Sequence, residues 1–226
     1  MALPPINIIC AVIRRLIFRR RPATKDAVRD LQYWQDRAER FGRRSVLNIT
    51  HADAEYDEIT QFQKLLLIPL LSRQLTGSET LILDFGCGPG RFTRELAETI
   101  GYYIGLDPTL SLLNLAPRGS SISYIGAAGD CIPITSSCVD VVWCCLVLGG
   151  IDGGALERSV AEINRVLAPR GLLYLVENTS ELQDAPHWRF RTSIQYAELF
   201  SSISLHLIGG YKDGGENISI LAGRKH

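Results

Sequence analysis

"LILDFGCGPGRFTREL", residues 81–96, is the stretch on which the fold turns. Apolar Leu81, Ile82 and Leu83 lead into Asp84 and Phe85. Three glycines (Gly86, Gly88, Gly90) and Pro89 crowd the next five positions, and Phe92, Leu96 and Ile100 then recur at helical spacing. A strand, a tight turn and a helix in immediate succession is the reading. Such a turn lets backbone N–H groups approach a ligand where a helix begins, with Pro89 preset for the first helical turn. Phosphate is the first ligand to consider. A P-loop requires Gly-Lys followed by Ser or Thr, and no lysine follows here; the dinucleotide fingerprint requires glycine at position 91, which is Arg91. The spacing is G-x-G-x-G instead, which also disfavours a nicotinamide oxidoreductase.

Working outward, strand-like and helix-like patterns alternate. "YYIGLD" (102–107), a short helix over 109–116, "ISYIG" (122–126), "VDVVWCCLVL" (139–148), and a helix carrying Leu156, Val160, Ile163 and Leu167 follow one another. "LLYLVEN" (172–178), a helix near 192–200, "ISLHLIG" (203–209) and "NISILAGR" (217–224) complete the chain. This rhythm predicts an α/β fold with a mostly parallel sheet and helices on both faces. Only residues 211–215 separate the last two strands, so they pair antiparallel as a C-terminal hairpin. Upstream, Thr24 caps a helix with apolar Ala27, Leu31, Trp34, Ala38 and Phe41 and a stop at Gly42; a second helical pattern runs over about 53–75, kinked or split near Pro69 and closed by Gly77. Residues 1–78 are thus expected to form an N-terminal helical cover, and residues 79–226 the core.

Composition narrows the function classes. Apolar residues make up 46% of the 226, as in a packed globular protein, and 24 basic against 24 acidic residues leave no global field to capture nucleic acid. The six cysteines contain no C-x-x-C, several lie in apolar runs, and adjacent Cys144 and Cys145 point to opposite faces of a strand, so no structural metal is expected. That usage fits a reducing, cytoplasmic compartment. The stretch "INIICAVIRRLIFRRRP" is too short and too charged to span a bilayer, and its arginines follow the apolar run, opposite to a secretory signal. Two readings stay open for residues 6–21: a peripheral contact with a membrane or partner, or a helix packed on its own domain.

The segment "LDFGCGPG" resembles the first motif of the class I S-adenosylmethionine (SAM)-dependent methyltransferases, an acidic residue ahead of G-x-G-x-G. Three more segments resemble that family in order: "IGLDPTLSLL", ending its strand at Asp107; "GAAGDCIPITSSCVDVVWCCLVL", with Asp130 and Asp140; and "EINRVLAPRGLLYLVE", where Arg170 replaces one glycine of the family's Pro-Gly-Gly. The resemblance covers residues 80–178 and implies a Rossmann-like, seven-stranded sheet, a methyltransferase activity and the cofactor S-adenosyl-L-methionine. It implies that Asp84, Phe85, Gly86, Cys87, Gly88, Gly90, Asp107, Pro108, Asp130, Cys131 and Leu146 bind the cofactor, with Asp84 near its amino-acid end, Asp107 on the ribose hydroxyls and Asp130 on the adenine amine. Chemistry agrees at Asp107, because one carboxylate at a strand's carboxyl end accepts both hydroxyls of a ribose and repels a phosphate.

The acceptor is expected to be a small molecule, such as a sugar, phenol, quinone, lipid-linked metabolite or amine, attacked through oxygen or nitrogen. Small-molecule members of the family often carry a histidine two residues after "VL"; here that position is Gly150. The remaining candidates for a catalytic base are His51 in the linker between the N-terminal helices, His187 beside Trp188, Arg189 and Arg191, and Glu177, which ends its strand and faces the crevice if the register holds. The aromatic-basic cluster around His187 suits an anionic or sugar-like acceptor. Tyr33, Trp34, Arg37 and Arg43 fall where the family's cover meets the cofactor. The lost histidine also admits a catalytically inactive SAM-binding protein as the alternative.

Overall fold

The computed structural model describes residues 25–226; the basic-apolar stretch 6–21, Cys10 and the expected Thr24 cap lie outside the described residues. Seven strands form one sheet: β1 (Leu81–Phe85), β2 (Tyr102–Asp107), β3 (Ile122–Gly126), β4 (Val139–Cys145), β5 (Leu167–Asn178), β6 (His206–Asp213) and β7 (Glu216–Arg224). Their order is β3-β2-β1-β4-β5-β7-β6. β1 to β5 run parallel, and β7 pairs antiparallel with both β5 and β6. The hairpin closes on Gly214 and Gly215 alone, at φ 58° and 86°. Two positive φ values in a two-residue loop match the twist of the flanking strands, which is why β6 extends to Asp213 and the loop is shorter than the sequence suggests.

Helices α1 (Lys25–Phe41), α2 (Tyr56–Ser72), α3 (Thr93–Ile100), α4 (Leu110–Leu113), α5 (Gly153–Val166) and α6 (Ser193–Leu199) complete the described chain, with short 3-10 turns at Gly42–Val46, Asp53–Glu55 and Leu148–Gly150. Alternation along each strand sorts the apolar residues into two cores. Leu83, Phe85, Val142, Cys144, Leu173 and Leu175 pack under Val160 and Ile163 of α5 and Tyr196 of α6. Ile82, Val141, Trp143, Tyr174, Val176 and Ile220 pack under Leu67 and Leu71 of α2 and Leu96 and Ile100 of α3. Trp143 stacks on Tyr174 with centroids 4.9 Å apart, and the Tyr174 hydroxyl donates to the Leu67 carbonyl at 3.1 Å, which docks α2 onto the sheet.

Several boundaries differ from the sequence reading. The helix after the glycine turn begins at Thr93, not at Pro89, because Gly88 and Gly90 take left-handed φ of 53° and 73°. β4 stops at Cys145, since Leu146 itself turns left-handed at φ 59°. α2 runs unbroken through Pro69, which sits in its last turn, where a single i→i−4 bond is forgone. Arg170, in place of the family's glycine, adopts φ 63°. Among the described residues no helix is long and apolar enough to cross a membrane, and no group of three His, Cys, Asp or Glu side chains is placed to hold a metal ion.

Candidate active site

The strand order reverses between β1 and β4, and a crevice opens outside the carboxyl ends of these strands. The glycine turn leaves β1 there. Its Gly86 and Cys87 N–H groups both donate to the Leu106 carbonyl, at 2.8 and 3.1 Å, which ties the turn to β2. Gly86 sits at φ 75°, and a Cβ on it would lie 2.5 Å from Val147 Cγ2; a Cβ on Gly88 would lie 2.8 Å from Val46 Cγ1. The turn is thus clasped between the loop after β4 and the N-terminal cover, and only glycine fits.

Two buried carboxylates flank the turn. Asp107 ends β2 with Oδ2 accepting the Gly88 N–H at 2.9 Å and Oδ1 accepting the Thr109 N–H at 2.8 Å. Burial pushes its carboxyl upward, opposed by those two N–H groups. Each oxygen retains a lone pair for a ligand hydroxyl. Asp84, near the end of β1, accepts the Tyr103 hydroxyl at 2.7 Å. Burial raises its carboxyl to about 7, against the Tyr103 hydrogen bond; the Asp107 charge adds to the rise and the Arg91 charge opposes it.

A cavity of about 580 Å³ fills the crevice, within the range of small-molecule sites. Of the residues expected at a cofactor, Asp84, Phe85, Gly86, Cys87, Asp107, Pro108, Asp130 and Leu146 line it. Gly88 and Gly90 shape the turn from behind, and Cys131 also falls outside the wall. Asp130 is ion-paired with Arg158 at 3.0 Å. The cover supplies Tyr33, Trp34, Arg37, Val46 and Leu47. A Cβ on Gly150 would lie 2.8 Å from the Trp34 ring, so the glycine that stands where the family often has histidine makes room for the cover. Arg43 lies apart from the cavity wall, exposed, in a bidentate pair with Asp57 at 2.9 Å.

The three candidates for a base fare differently. His187 lines the cavity, stacked on Tyr33 with centroids 3.8 Å apart. His51 lies behind the wall, its Nε2 against Asp213 Oδ1, and Asp213 is what reaches the cavity. Glu177 does not face the crevice. It shares a face with Leu173 and Leu175, is fully buried, and accepts the N–H groups of Val147 and Leu148 at 3.0 and 2.7 Å and of Gly149 at 3.3 Å. Its carboxyl rises to about 7 through burial, opposed by those N–H groups and the Tyr196 hydroxyl. The basic cluster is likewise structural: Arg189 pairs with Asp152 at 2.8 Å, and Arg191 donates to the Leu148 and Ile151 carbonyls at 3.1 and 3.3 Å. These guanidiniums bind the loops around the site, because fixing loop carbonyls and carboxylates satisfies them more fully than an open chamber does.

Among the wall residues that the sequence reading missed, Arg91, Asn178, Asp213 and Glu216 bear most on the chemistry. Arg91, buried at 8% exposure, donates to Gln63 Oε1 and lies over the Phe92 ring at 4.9 Å. Its place directly after the glycines is the signal that was there to see. Asn178, Asp213 and Glu216 come together only when the hairpin folds back onto β5; the acidic residues bracketing Gly214 and Gly215 were their only local mark.

The donor set fits a nucleoside joined to an amino acid. Asp107 suits vicinal hydroxyls, while Asp84 and Arg91 offer opposite charges to a zwitterion. Comparison with known proteins agrees. Residues 83–175 match a methyltransferase-domain family model. The chain is 28% identical over 156 residues to the malonyl-[acyl-carrier protein] O-methyltransferase of Enterobacter lignolyticus, covering 67% of this chain and 61% of that protein. It is 31% identical over 124 residues to the enzyme of the same name from Salmonella typhimurium, covering 54% and 48%. The chain thus spans less than two thirds of these relatives' length. Among solved structures, magnesium protoporphyrin IX methyltransferase from Synechocystis with bound SAH superimposes with a TM-score of 0.69 at 14% identity, over 89% of this chain and 100% of that one. The DhpI–SAH complex gives 0.67 at 16% identity, over 90% and 98%. At such identities these two show a shared fold.

Proposed function

We propose that this chain is a class I SAM-dependent methyltransferase that transfers a methyl group from SAM to oxygen or nitrogen of a small-molecule acceptor, a reading supported by the match of residues 83–175 to a methyltransferase-domain model. The observation that carries the reading is the Asp107 carboxylate, held by the Gly88 and Thr109 N–H groups beside the glycine turn and open to the cavity. In this reading Asp107 accepts the ribose hydroxyls, and the wall at Ala128, Gly129 and Asp130 takes the adenine. Asp84 and Arg91 receive the ammonium and carboxylate of the amino-acid end. Bound SAM supplies a methyl group on a sulfonium, a leaving group that needs little further activation.

What remains for the protein is alignment and exclusion of water. Leu146, left-handed and with its N–H donating to the Val176 carbonyl at 2.7 Å, fixes the loop after β4 that lines the cavity. Tyr33, Trp34 and Val46 close the cover over it. Within this reading residues up to 78 act as cover and residues from 79 as the cofactor-binding core, and the balanced charge leaves nucleic acid out as acceptor.

Titration calorimetry with SAM, SAH and NAD tests the proposal. SAM and SAH should bind at micromolar concentration and NAD should not; failure of SAM and SAH to bind refutes it. Release of SAH from labelled SAM across a panel of phenols, sugars and amines then reads turnover, against the alternative of an inactive SAM-binding protein.

A further inference from the structure

Resting on the methyltransferase reading, we propose that the end of the cavity away from Asp107, built around Asp213 and Glu216, selects an acceptor that presents an amine and rejects one that presents a carboxylate. Asp213 and Glu216 face each other across the β6–β7 turn, next to the last residue of β5, Asn178, and all three line the cavity. Glu216 is held in place: its Oε2 accepts Asn48 Nδ2 at 2.9 Å and Asn178 Nδ2 at 2.6 Å. Its Oε1 meets no hydrogen-bond donor among the described residues. Asp213 is 7% exposed, and His51 Nε2 engages only its Oδ1. Oδ2 of this buried carboxylate likewise has no donor among the described residues.

Both oxygens stay open to the cavity, and a ligand that brings N–H groups can meet them with charge-assisted hydrogen bonds. The basic groups near the chamber do not serve this end. Arg37 donates to the Ser45 and Leu47 carbonyls at 2.7 and 3.0 Å, and Arg91 donates to Gln63. His51 lies between Asp213 and Glu55, the latter 3.9 Å from Nδ1, so one imidazolium at most faces two carboxylates and leaves Glu216 uncompensated. Trp188, Phe190 and the His187–Tyr33 stack supply an aromatic wall against which a cationic amine gains further attraction. A carboxylate in the same place meets like charge. A malonyl group ends in such a carboxylate, so the acceptor differs in charge from the one in the names of the relatives.

The test uses the full chain with and without saturating SAH, titrated calorimetrically with benzylamine, benzyl alcohol and phenylacetate. Benzylamine should bind at least tenfold more tightly than phenylacetate. The pair Asp213→Asn and Glu216→Gln, isosteric and still able to accept from His51 and the two asparagines, should lose at least tenfold in benzylamine affinity while the Kd for SAH stays within twofold. Should the pair fail to fold by circular dichroism, Asp213→Asn alone carries the same expectation at about threefold. Equal or tighter binding of phenylacetate, no benzylamine binding at millimolar concentration, or a parallel loss of SAH affinity overturns the inference, the last because the carboxylates would then hold the cofactor's own ammonium. Absence of SAH binding to the unaltered chain refutes the methyltransferase reading instead, and the titrations without SAH still report on the chamber.

Discussion

Replacing Glu177 separates a structural from a catalytic carboxylate. In Glu177→Ala the Val147 and Leu148 N–H groups lose their acceptor in a fully buried place. At about 1–3 kcal/mol per unmade buried hydrogen bond the loss is roughly 2–6 kcal/mol, a large part of a total stability of about 5–15 kcal/mol. For a chain of this size that lowers Tm by about 4–24 °C. Glu177→Gln keeps the shape and one acceptor oxygen and should recover at least half of the loss. Urea unfolding followed by circular dichroism measures both variants, with unchanged m-values marking a native-state effect. Because Glu177 faces the core and not the cavity, the Gln protein should keep its kcat, whereas loss of a general base costs about 10²–10⁴-fold. The pH profile adds a signature. The Glu177 carboxyl rises from 4.5 in the unfolded reference to about 7, so its folded form holds a proton that its unfolded form releases. Its stabilisation is complete below about pH 4 and is lost as pH climbs through 7, by about 3 kcal/mol at about 1.4 kcal/mol per unit. Glu177→Gln should flatten that part of the decline. An Ala variant within 1 kcal/mol of the parent, or a Gln variant that folds normally and loses a hundredfold in kcat, refutes the structural assignment.

Asp107→Ala should weaken SAH binding by about ten- to a hundredfold, the worth of one or two charge-assisted hydrogen bonds, and should also cost about 2–6 kcal/mol of stability, because the buried Gly88 and Thr109 N–H groups lose their acceptor; calorimetry and a thermal melt decide it. Gly86→Ala forces a side chain into φ 75° and within 2.5 Å of Val147, and should cost about 1–3 kcal/mol together with cofactor affinity, while Gly77→Ala, at φ 83° with open space around it, should cost about 1 kcal/mol and leave affinity alone. Asp84, with its carboxyl raised to about 7 by burial, ionises between pH 6 and 8, so SAH affinity should rise over that window as a charged partner for the ligand ammonium forms. The unliganded protein should lose stability as pH rises from about 4 through 7, and Asp84→Asn should remove the rise in affinity, as measured by calorimetry at several pH values.

Much of the fold was legible because local spacing encodes local structure. Near-continuous apolar runs in residues 81–85, 102–107 and 139–145 marked strands buried on both faces, and helical spacing in 153–166 marked the crossover between β4 and β5. Boundaries were less legible where backbone conformation is chosen by tertiary contact. Leu146 turns left-handed in the middle of an apolar run because the loop beyond it is held by Glu177, 31 residues further on. Glu177 itself was placed at its strand's end correctly and on the wrong face of it, since the tilt of the last residues depends on which N–H groups are there to be met. The arginines at 189 and 191 read either as part of an acceptor-binding cluster or as solvated loop residues; neighbouring Asp152 and the carbonyls of residues 148 and 151 take them instead.

The sequence by itself determined the half of the cavity proposed for the cofactor: a strand, a turn of three glycines and acidic residues at two successive strand ends are contiguous or nearly so, and the topology of a parallel sheet brings them to one crevice. The acceptor half was decided by the tertiary structure alone. His51 meets Asp213 and Asn48 meets Glu216 across separations of 162 and 168 residues, and Tyr33 meets His187 across the same chamber. No periodicity links residues so far apart, because their approach depends on how the cover docks and how the hairpin folds back, and packing sets both only once the whole sheet has formed.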